Sequence, residues 1–385
     1  MRKPRLMTPG PAPVPEDVLL ELARPVIHHR SAEAKEVITE VAAGLKEVFQ
    51  TKNDVLILTA SGTGAMEAAT VNAVPPGSKA IVLNAGYFAA RWANICKAFG
   101  INVVSLDTEW GQTADPEQVA QALKQHPDAV AVLGTLSETS TGTGHPVEAI
   151  GQVVAKTDAI FVVDGISGIG AMECRMDAWA IDILCAGSQK AFMLPPGLAF
   201  VSCSPKAWAK IDAFQSHSFY FNLKSARKKM KEFDTPFTPA HTLILALRTS
   251  LRRIKDEGLE NVWRRHRTMS EACQAGIQAL GLELFSARPA EGLTAFRVPE
   301  GVKDSDIRGK LTDRFGITTV GGQDKLKGQI VRIGHMGYMD ELDVISGLAA
   351  LEMTLSELGM DVEPGRALTA AQQVLLGQKA VASVN

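Results

Sequence analysis

The amino-acid sequence predicts an α/β fold, with a large domain built on a mostly parallel sheet and a smaller C-terminal α+β domain. Between residues 55 and 202, seven short apolar segments of strand character alternate with segments of helical periodicity. Short apolar strands joined by helical crossovers are typical of a parallel sheet covered on both faces. The predicted strands are Val55–Thr59, Ala80–Asn84, Val103–Leu106, Ala129–Gly134, Ala159–Val163, Asp182–Cys185 and Leu198–Ser202.

The helices of the large domain are indicated by apolar spacing and by a capping residue. Ser31 is a predicted N-cap, because apolar residues from Val37 to Val48 recur after it at helical spacing. The proline-rich residues before this helix, up to about residue 17, lack such spacing and predict an extended arm. The other helices predicted here are Gly64–Ala73, Ala89–Phe99, Pro116–Gln125 and Val147–Ala155.

The last third of the chain has a different pattern, in which one long helix precedes short strands between helices. We therefore divide the chain into residues 1–17 (N-terminal arm), 18–262 (large domain), 263–360 (small domain) and 361–385 (tail). The elements predicted in the small domain are the helices Leu259–Leu280, Asp304–Phe315 and Glu341–Leu358 and the strands Leu282–Phe285, Ala295–Val298 and Ile330–Ile333.

Composition and charge exclude several classes of protein. The chain has 385 residues, 46% of them hydrophobic and 21% charged, and a net charge of −2, which argues against binding of nucleic acid. The basic stretch Lys224–Lys231 is interpreted as a solvated helix face. No apolar run has the length of a membrane helix or a signal peptide, so we expect a cytoplasmic protein without a membrane partner. The five cysteines include no C-x-x-C pair, so we expect neither a disulfide framework nor a metal centre.

Two polar residues lie at the ends of predicted buried strands. Lys190 follows the strand Asp182–Cys185, and Asp164 directly follows the strand Ala159–Val163. Open α/β sheets place their ligands at the carboxyl ends of such strands. A lysine and an aspartate there indicate a Schiff-base lysine and a partner for a pyridinium nitrogen, the pair that pyridoxal 5'-phosphate (PLP) requires. The alternatives are a lysine on a solvated turn and an aspartate that caps a helix.

Three further features fit the same chemistry, and each has a structural alternative. The glycine-rich turn Ser61–Gly64 opens a helix and can bind a phosphate, although it can also be a plain tight turn. Arg332, inside a short apolar strand, can bind a substrate carboxylate or form an internal salt bridge. Phe88 can stack on a planar ring or pack in the core.

Taken together, these segments resemble the class V aminotransferases, a family of fold-type I PLP enzymes, and within it the alanine–glyoxylate/serine–pyruvate aminotransferase branch. The resemblance extends from Thr8 to about Leu358. The segments that carry it are Thr8–Pro11, Ser61–Gly64, Ala85–Phe88, Ser137–Gly142, Asp164, Gly187–Lys190, Pro195–Gly197 and Val331–Gly334.

The resemblance implies a role for each site residue. Lys190 would form the Schiff base, Asp164 would contact the ring nitrogen, and Arg332 would bind the substrate α-carboxylate. Thr235 replaces a tyrosine that some relatives place across a dimer interface. The remaining implied roles are phosphate binding by Ser61, Gly62, Thr63 and Gln189, contact with the ring oxygen by Thr139, stacking on the two ring faces by Phe88 and Ile166, contact with the partner's phosphate by Thr238, and lining of the substrate pocket by Pro9 and Gly10.

The resemblance also implies a reaction and an assembly. We expect a ping-pong transfer of an amino group from a small amino acid, alanine or serine, to glyoxylate or pyruvate, in a homodimer with active sites at its interface. One alternative is other PLP chemistry on a small amino acid, namely β-elimination or desulfuration. A desulfurase needs a catalytic cysteine in the later part of the chain, and no cysteine follows Cys273 here. Another is a non-enzymatic accessory subunit of a redox complex, because some similar cyanobacterial proteins carry a "soluble hydrogenase subunit" name.

Overall fold

The computed structural model describes residues 3–377, which form an α/β architecture. The first half of the chain contains β1 (Arg5–Leu6), α1 (Glu16–Leu22), α2 (Ala32–Phe49), β2 (Val55–Ala60), α3 (Gly62–Ala73), β3 (Lys79–Asn84), α4 (Ala89–Ala98), β4 (Asn102–Asp107), α5 (Pro116–Gln125), β5 (Ala129–Thr135), β6 (Ser137–Glu138) and β7 (Thr143–Gly144). The second half contains α6 (Val147–Val154), β8 (Ile160–Asp164), β9 (Ile183–Gly187), β10 (Gly197–Cys203), α7 (Pro205–Ala213), α8 (Leu223–Met230), α9 (His241–Glu257), α10 (Leu259–Ala279), β11 (Leu293–Arg297), α11 (Asp304–Phe315), β12 (Ile317–Thr318), β13 (Val320–Gly321), β14 (Ile330–Gly334), α12 (Glu341–Glu357) and α13 (Arg366–Leu375).

A seven-stranded sheet forms the centre of the molecule, in the order β2-β10-β9-β8-β5-β3-β4. Only β10 runs against its neighbours, β2 and β9. The inner strands β8 and β9 are buried along their whole length, as expected for strands covered on both faces. Because the other six strands share one direction, their carboxyl ends meet at one edge, and this edge carries the candidate site.

A second apolar cluster lies in the C-terminal third, where β11, β14 and β13 form a three-stranded sheet. Helices α10, α11, α12 and α13 contribute buried side chains to it, as does Met7 of the arm. The arm reaches this cluster through β1, which pairs in parallel with β12. The N-terminal segment is therefore attached to the last third of the chain.

The predicted fold class is confirmed, and all seven strands predicted for the large sheet are present. Ser31 caps α2, since its hydroxyl accepts a hydrogen bond of 3.2 Å from the amide of Ala34. The basic stretch lies on α8 and the turn after it, with Lys228 and Lys231 exposed. None of the helices within residues 3–377 combines the length and apolar character that a membrane span requires.

Two predictions differ from the structure. The strand predicted at Leu282–Phe285 is wrong: only Leu284 pairs, in a single bridge with Phe296. The chain then turns away, and the amide of Ala287 donates to the carbonyl of Gly111 at 2.9 Å instead. The extended arm is also shorter than predicted, because α1 begins at Glu16, directly after a proline N-cap. Helix α13 occupies part of the tail, whose residues 378–385 lie outside the described residues.

Candidate active site

The loops that follow β2, β3, β6, β8 and β9 meet at the carboxyl edge of the sheet and enclose a cavity of about 310 Å³. Ten of the thirteen residues predicted for the site line this cavity. They are Gly10, Ser61, Gly62, Thr63, Phe88, Thr139, Asp164, Ile166, Gln189 and Lys190. Residues from the ends of four strands of the large sheet, from the β6–β7 hairpin and from the N-terminal arm are thus brought together, as expected for a ligand site of an open α/β sheet.

Lys190 lies in the turn after β9, and only 8% of its surface is exposed. Its amine donates a hydrogen bond to the backbone carbonyl of Pro9, which places Pro9 at the site although it does not line the cavity. Burial lowers the pKa of the Lys190 amine to about 8, against the attraction of Asp164. A lysine with such a pKa is partly neutral near neutral pH, and a neutral amine can attack an aldehyde.

Asp164 ends β8 with a buried carboxyl group, whose Oδ1 accepts a hydrogen bond of 2.8 Å from the amide of Ile166. Burial raises the pKa of this carboxyl to about 7, and that hydrogen bond only partly offsets the effect. A cation placed next to it would favour the ionised form. The site therefore suits a ligand with a positive ring nitrogen at Asp164.

The amino end of α3 lies in one wall of the cavity. Ser61 is the N-cap, but its side chain makes no capping hydrogen bond within the described chain, so the first amides of the helix stay available to an anion. Gly62 packs so closely on Ile166 that a Cβ atom would come within 2.5 Å of its side chain. Gln189 lines the same cavity, and its buried Oε1 has no hydrogen-bond partner within the described chain. The amides at the start of α3 can donate to a phosphate, and the Gln189 carboxamide can do so through its NH2 group.

Arg332 of β14 lies directly behind Thr139. Its guanidinium donates to the carbonyls of Thr139 (2.7 Å) and Gly321 (2.7 and 3.0 Å), and to Oε1 of Gln323 (3.4 Å). Burial lowers the pKa of Arg332 to about 10. Within residues 3–377 no ion pair involves Arg332, so the internal salt bridge considered from the sequence is not formed there. A buried guanidinium without a counter-charge favours binding of an anion.

The structure does not bring Thr238 into the cavity. It is exposed in the loop between α8 and α9, which is attached to β2 where the amide of Ala240 donates to Oγ1 of Thr59 at 3.0 Å. Thr235 is buried, and its hydroxyl donates to the carbonyl of Phe237 at 2.7 Å. Neither threonine contacts the site of its own chain.

Two cavity residues escaped the sequence analysis. Arg91, one helical turn after Phe88, donates to Oγ1 of Thr63 at 2.7 Å and lies 5.0 Å from the Phe88 ring centre. Ser167 shares a hydrogen bond of 2.5 Å with Thr139. The spacing of Arg91 from Phe88 could have indicated a shared helix face, whereas nothing local pairs Ser167 with Thr139.

Fold and site together define an α/β protein in which one cavity at the carboxyl edge of the sheet is lined by a buried amine, a buried carboxyl group and the amino end of a helix. The chain belongs to the class-V aminotransferase family, whose model matches residues 14–344. This confirms the resemblance found in the sequence.

Individual relatives match over nearly the whole chain. It is 42% identical, over 97% of its length and 98% of the relative, to the "soluble hydrogenase, small subunit" of Synechococcus sp. (strain PCC 6716). It is 35% identical to the L-aspartate–glyoxylate aminotransferase of Paracoccus denitrificans (strain Pd 1222), over 96% and 95% of the two chains. The crystal structure of ureidoglycine–glyoxylate aminotransferase from Bacillus subtilis superimposes with a TM-score of 0.92, at 32% identity and over 98% and 99% of the chains.

Proposed function

We propose that this protein is a PLP-dependent aminotransferase that transfers an amino group from a small amino acid, alanine or serine, to glyoxylate or pyruvate. The observation that carries the proposal is the enclosure of the Lys190 amine, the Asp164 carboxyl and the amino end of α3 in one cavity of about 310 Å³. These groups match the aldehyde, the ring nitrogen and the phosphate of PLP.

The residues present fit the cofactor at each of its polar groups. Ser61, Gly62, Thr63 and Gln189 would hold the phosphate, to which the backbone amides at the start of α3 and the NH2 group of the Gln189 carboxamide can donate. Thr139, steadied by Ser167, would contact the ring oxygen. Phe88 and Ile166 line the cavity and would cover the two ring faces.

PLP, when bound, supplies an aldehyde that captures amines and a protonated ring that accepts an electron pair. Lys190 would hold the cofactor through a Schiff base until the amino acid displaces it. Its freed amine, with a pKa of about 8 lowered by burial, would then move the proton that leaves the substrate α-carbon. Asp164 would keep the ring nitrogen protonated throughout.

The substrate assignment rests on the two arginines near the cavity. Arg332 donates to the carbonyl of Thr139, forms no ion pair within residues 3–377, and would bind the α-carboxylate of the amino acid and of the oxo acid. Arg91 is already engaged by Thr63 at the phosphate end, so it is poorly placed for a second carboxylate. A small neutral donor fits this arrangement, and the acceptor is in line with the glyoxylate named for two of the relatives.

We further propose a homodimer in which Thr238 reaches the partner's phosphate site. An exposed aromatic cluster lies beside Thr238: the rings of Tyr220 and Phe237 stack at 5.1 Å, and Phe219 is 82% exposed. Exposed aromatic groups of this size are typical of protein interfaces. Burial of this cluster against a second copy would bring Thr238 toward a neighbouring active site.

The alternative of desulfuration receives no support from the cysteines. All five are buried, and none lines the cavity. Burial raises the pKa of Cys273, the last in the chain, to about 11. A sulfur carrier needs a reactive and accessible thiolate, and these thiols are neither.

The test is the visible spectrum of the purified protein, followed by borohydride reduction and mapping of the modified lysine. We expect a yellow chromophore that reduction abolishes and a label on Lys190. Alanine, serine and aspartate are then compared as donors to glyoxylate and pyruvate. A colourless protein that leaves added PLP unbound would refute the cofactor, and release of ammonia or sulfide without consumption of oxo acid would favour lyase chemistry.

A further inference from the structure

The β6–β7 hairpin contains a fully buried carboxylate, Glu138. Burial of a charge is costly unless a counter-charge or several hydrogen bonds offset it. Within residues 3–377 no ion pair involves Glu138, and all its hydrogen-bond donors are neutral. The hydrogen bonds around Glu138 must therefore offset the cost of burying its carboxylate.

Four donors converge on this carboxylate from two segments. Oε1 accepts from the amide of Phe88 at 3.3 Å and from the amide and hydroxyl of Ser140 at 3.0 and 2.6 Å. Oε2 accepts from the amide of Ala89, the first residue of α4, at 2.8 Å. The positive end of the helix dipole adds to these bonds. Gly86 lies so close that a Cβ atom there would overlap the Glu138 side chain.

The two segments that Glu138 joins each contribute a residue to the cavity wall. Phe88 stands at the start of α4, and Thr139 is the residue after Glu138. A further bond from the amide of Tyr87 to the hydroxyl of Ser140, at 3.1 Å, closes the same junction. The backbone carbonyl of Thr139 also accepts a hydrogen bond from the guanidinium of Arg332. Displacement of Glu138 would therefore move Phe88 relative to Thr139.

We propose that Glu138 is a positioning residue, which holds Phe88 against one face of the cofactor ring while it holds Thr139 at the ring edge. This inference rests on the proposed PLP function and assigns Glu138 no contact with the cofactor. Its negative charge has a second effect, because it favours the protonated form of Arg332 and so opposes the lowering of that pKa by burial. The β6–β7 hairpin therefore contacts both Phe88, proposed to cover the cofactor ring, and Arg332, proposed to bind the substrate carboxylate.

The central variant is Glu138→Gln, with the exposed Glu148→Gln of α6 as the matched control. Glutamine keeps one acceptor oxygen but presents an NH2 group to a backbone donor, so one amide loses its partner. We expect about tenfold weaker PLP binding. We also expect a smaller visible circular-dichroism signal per bound cofactor, because that signal reports the asymmetric placement of the chromophore. Glu148→Gln should leave both unchanged.

A double-mutant cycle with Phe88→Leu separates positioning from general destabilisation. If Glu138 acts through Phe88, the double variant binds PLP little worse than either single variant, instead of showing the product of the two losses. Independent multiplication of the losses, or binding by Glu138→Gln within twofold of wild type with an unchanged dichroism signal, would overturn the proposal. A lower melting temperature with an unchanged dichroism signal per bound cofactor would indicate a purely structural residue.

Ser140→Ala provides the second variant in case Glu138→Gln does not fold. It keeps the carboxylate but removes the hydroxyl that bridges Glu138 and Tyr87, and we expect about threefold weaker PLP binding. Unchanged affinity in Ser140→Ala would then overturn the proposal. The wild-type spectrum and borohydride label are measured first: their absence refutes the proposed function, whereas a normal wild type with unaffected variants refutes only the role of Glu138.

Discussion

The amine of Lys190 donates a hydrogen bond to the backbone carbonyl of Pro9, a residue 181 positions earlier in the chain. Three residues later in the same arm, the amide of Ala12 donates a hydrogen bond to the carbonyl of Gln189 at 2.9 Å. The N-terminal arm is therefore part of the wall around the lysine, and substitutions in it should affect the chemistry of Lys190 directly.

Gly10→Ala should lower kcat at least tenfold, because a Cβ atom at residue 10 would overlap the Lys190 side chain. Gly10 has a φ of +121°, so alanine also strains the backbone there, by roughly 1–3 kcal/mol. Gly77→Ala is the matched control, since Gly77 also has a positive φ of +80° but faces open space. Steady-state kinetics and thermal unfolding of both variants check the prediction. Equal loss of activity in both would show that strain alone is responsible.

Lys190→Ala should lose the borohydride label and reduce turnover by more than about 10³-fold, since it removes the amine that we propose both forms the Schiff base and transfers the proton. Mass spectrometry of the reduced protein and a transamination assay without added amines measure the two effects. Lys35→Ala, on the exposed face of α2, should behave as wild type. Substantial turnover by Lys190→Ala would contradict the assigned role.

Asp164→Asn should stabilise the cofactor-free protein at alkaline pH while lowering activity. Burial raises the pKa of Asp164 to about 7 from 3.8, so between these values the folded state keeps a proton that the unfolded state has lost. Stability from this group therefore falls as pH rises through that window, by roughly 2–4 kcal/mol in total. Asparagine cannot ionise and avoids this loss.

The measurement for Asp164→Asn is thermal unfolding of the cofactor-free proteins at pH 5 and pH 8. We expect the melting temperature of the variant to exceed that of wild type by a few degrees at pH 8, and by less at pH 5. A difference that is the same at both pH values would show that ionisation of Asp164 is not its cause.

Arg332→Lys should raise KM for both the amino acid and the oxo acid and lower kcat/KM about 10²-fold, because lysine lacks the planar fork that pairs with a carboxylate. The affinity for PLP should stay within about twofold of wild type, since Arg332 does not line the cavity in which we propose that PLP binds. Arg252→Lys, at the exposed ion pair with Glu40, is the control. An unchanged KM in Arg332→Lys would place carboxylate binding elsewhere.

The parallel sheet was predictable from the sequence because each of its strands is a short apolar run bounded by turn residues or helices. The candidate positions Lys190 and Asp164 followed from the same pattern, since a polar residue at the end of a buried strand is unusual. The strand predicted at Leu282–Phe285 failed because its apolar spacing does not reveal that the chain turns toward Gly111. The apolar spacing of a segment describes that segment alone. It does not identify the distant carbonyl groups, such as that of Gly111, to which the amides of the segment donate.

The residues that the sequence did not reveal are those that act through distant contacts. Arg91 contacts Thr63, and Ser167 contacts Thr139, each across 28 positions and between different structural elements. Glu138 was equally hidden, because a glutamate is ordinarily a solvated residue and nothing local marks this one as buried. Such partners become visible only when the sheet places their segments side by side.

The pairing of β1 with β12 determines when the site can be completed during synthesis. Arg5 lies opposite Ile317, so β1 has no strand to pair with until residue 317 has been synthesised. Domains generally fold as units while the chain emerges, and contacts this distant form last. The large sheet can therefore assemble around Lys190 before Pro9 is held in place. A chain interrupted before residue 317 would lack the strand that holds β1, so the arm couples completion of the wall around Lys190 to synthesis of β12.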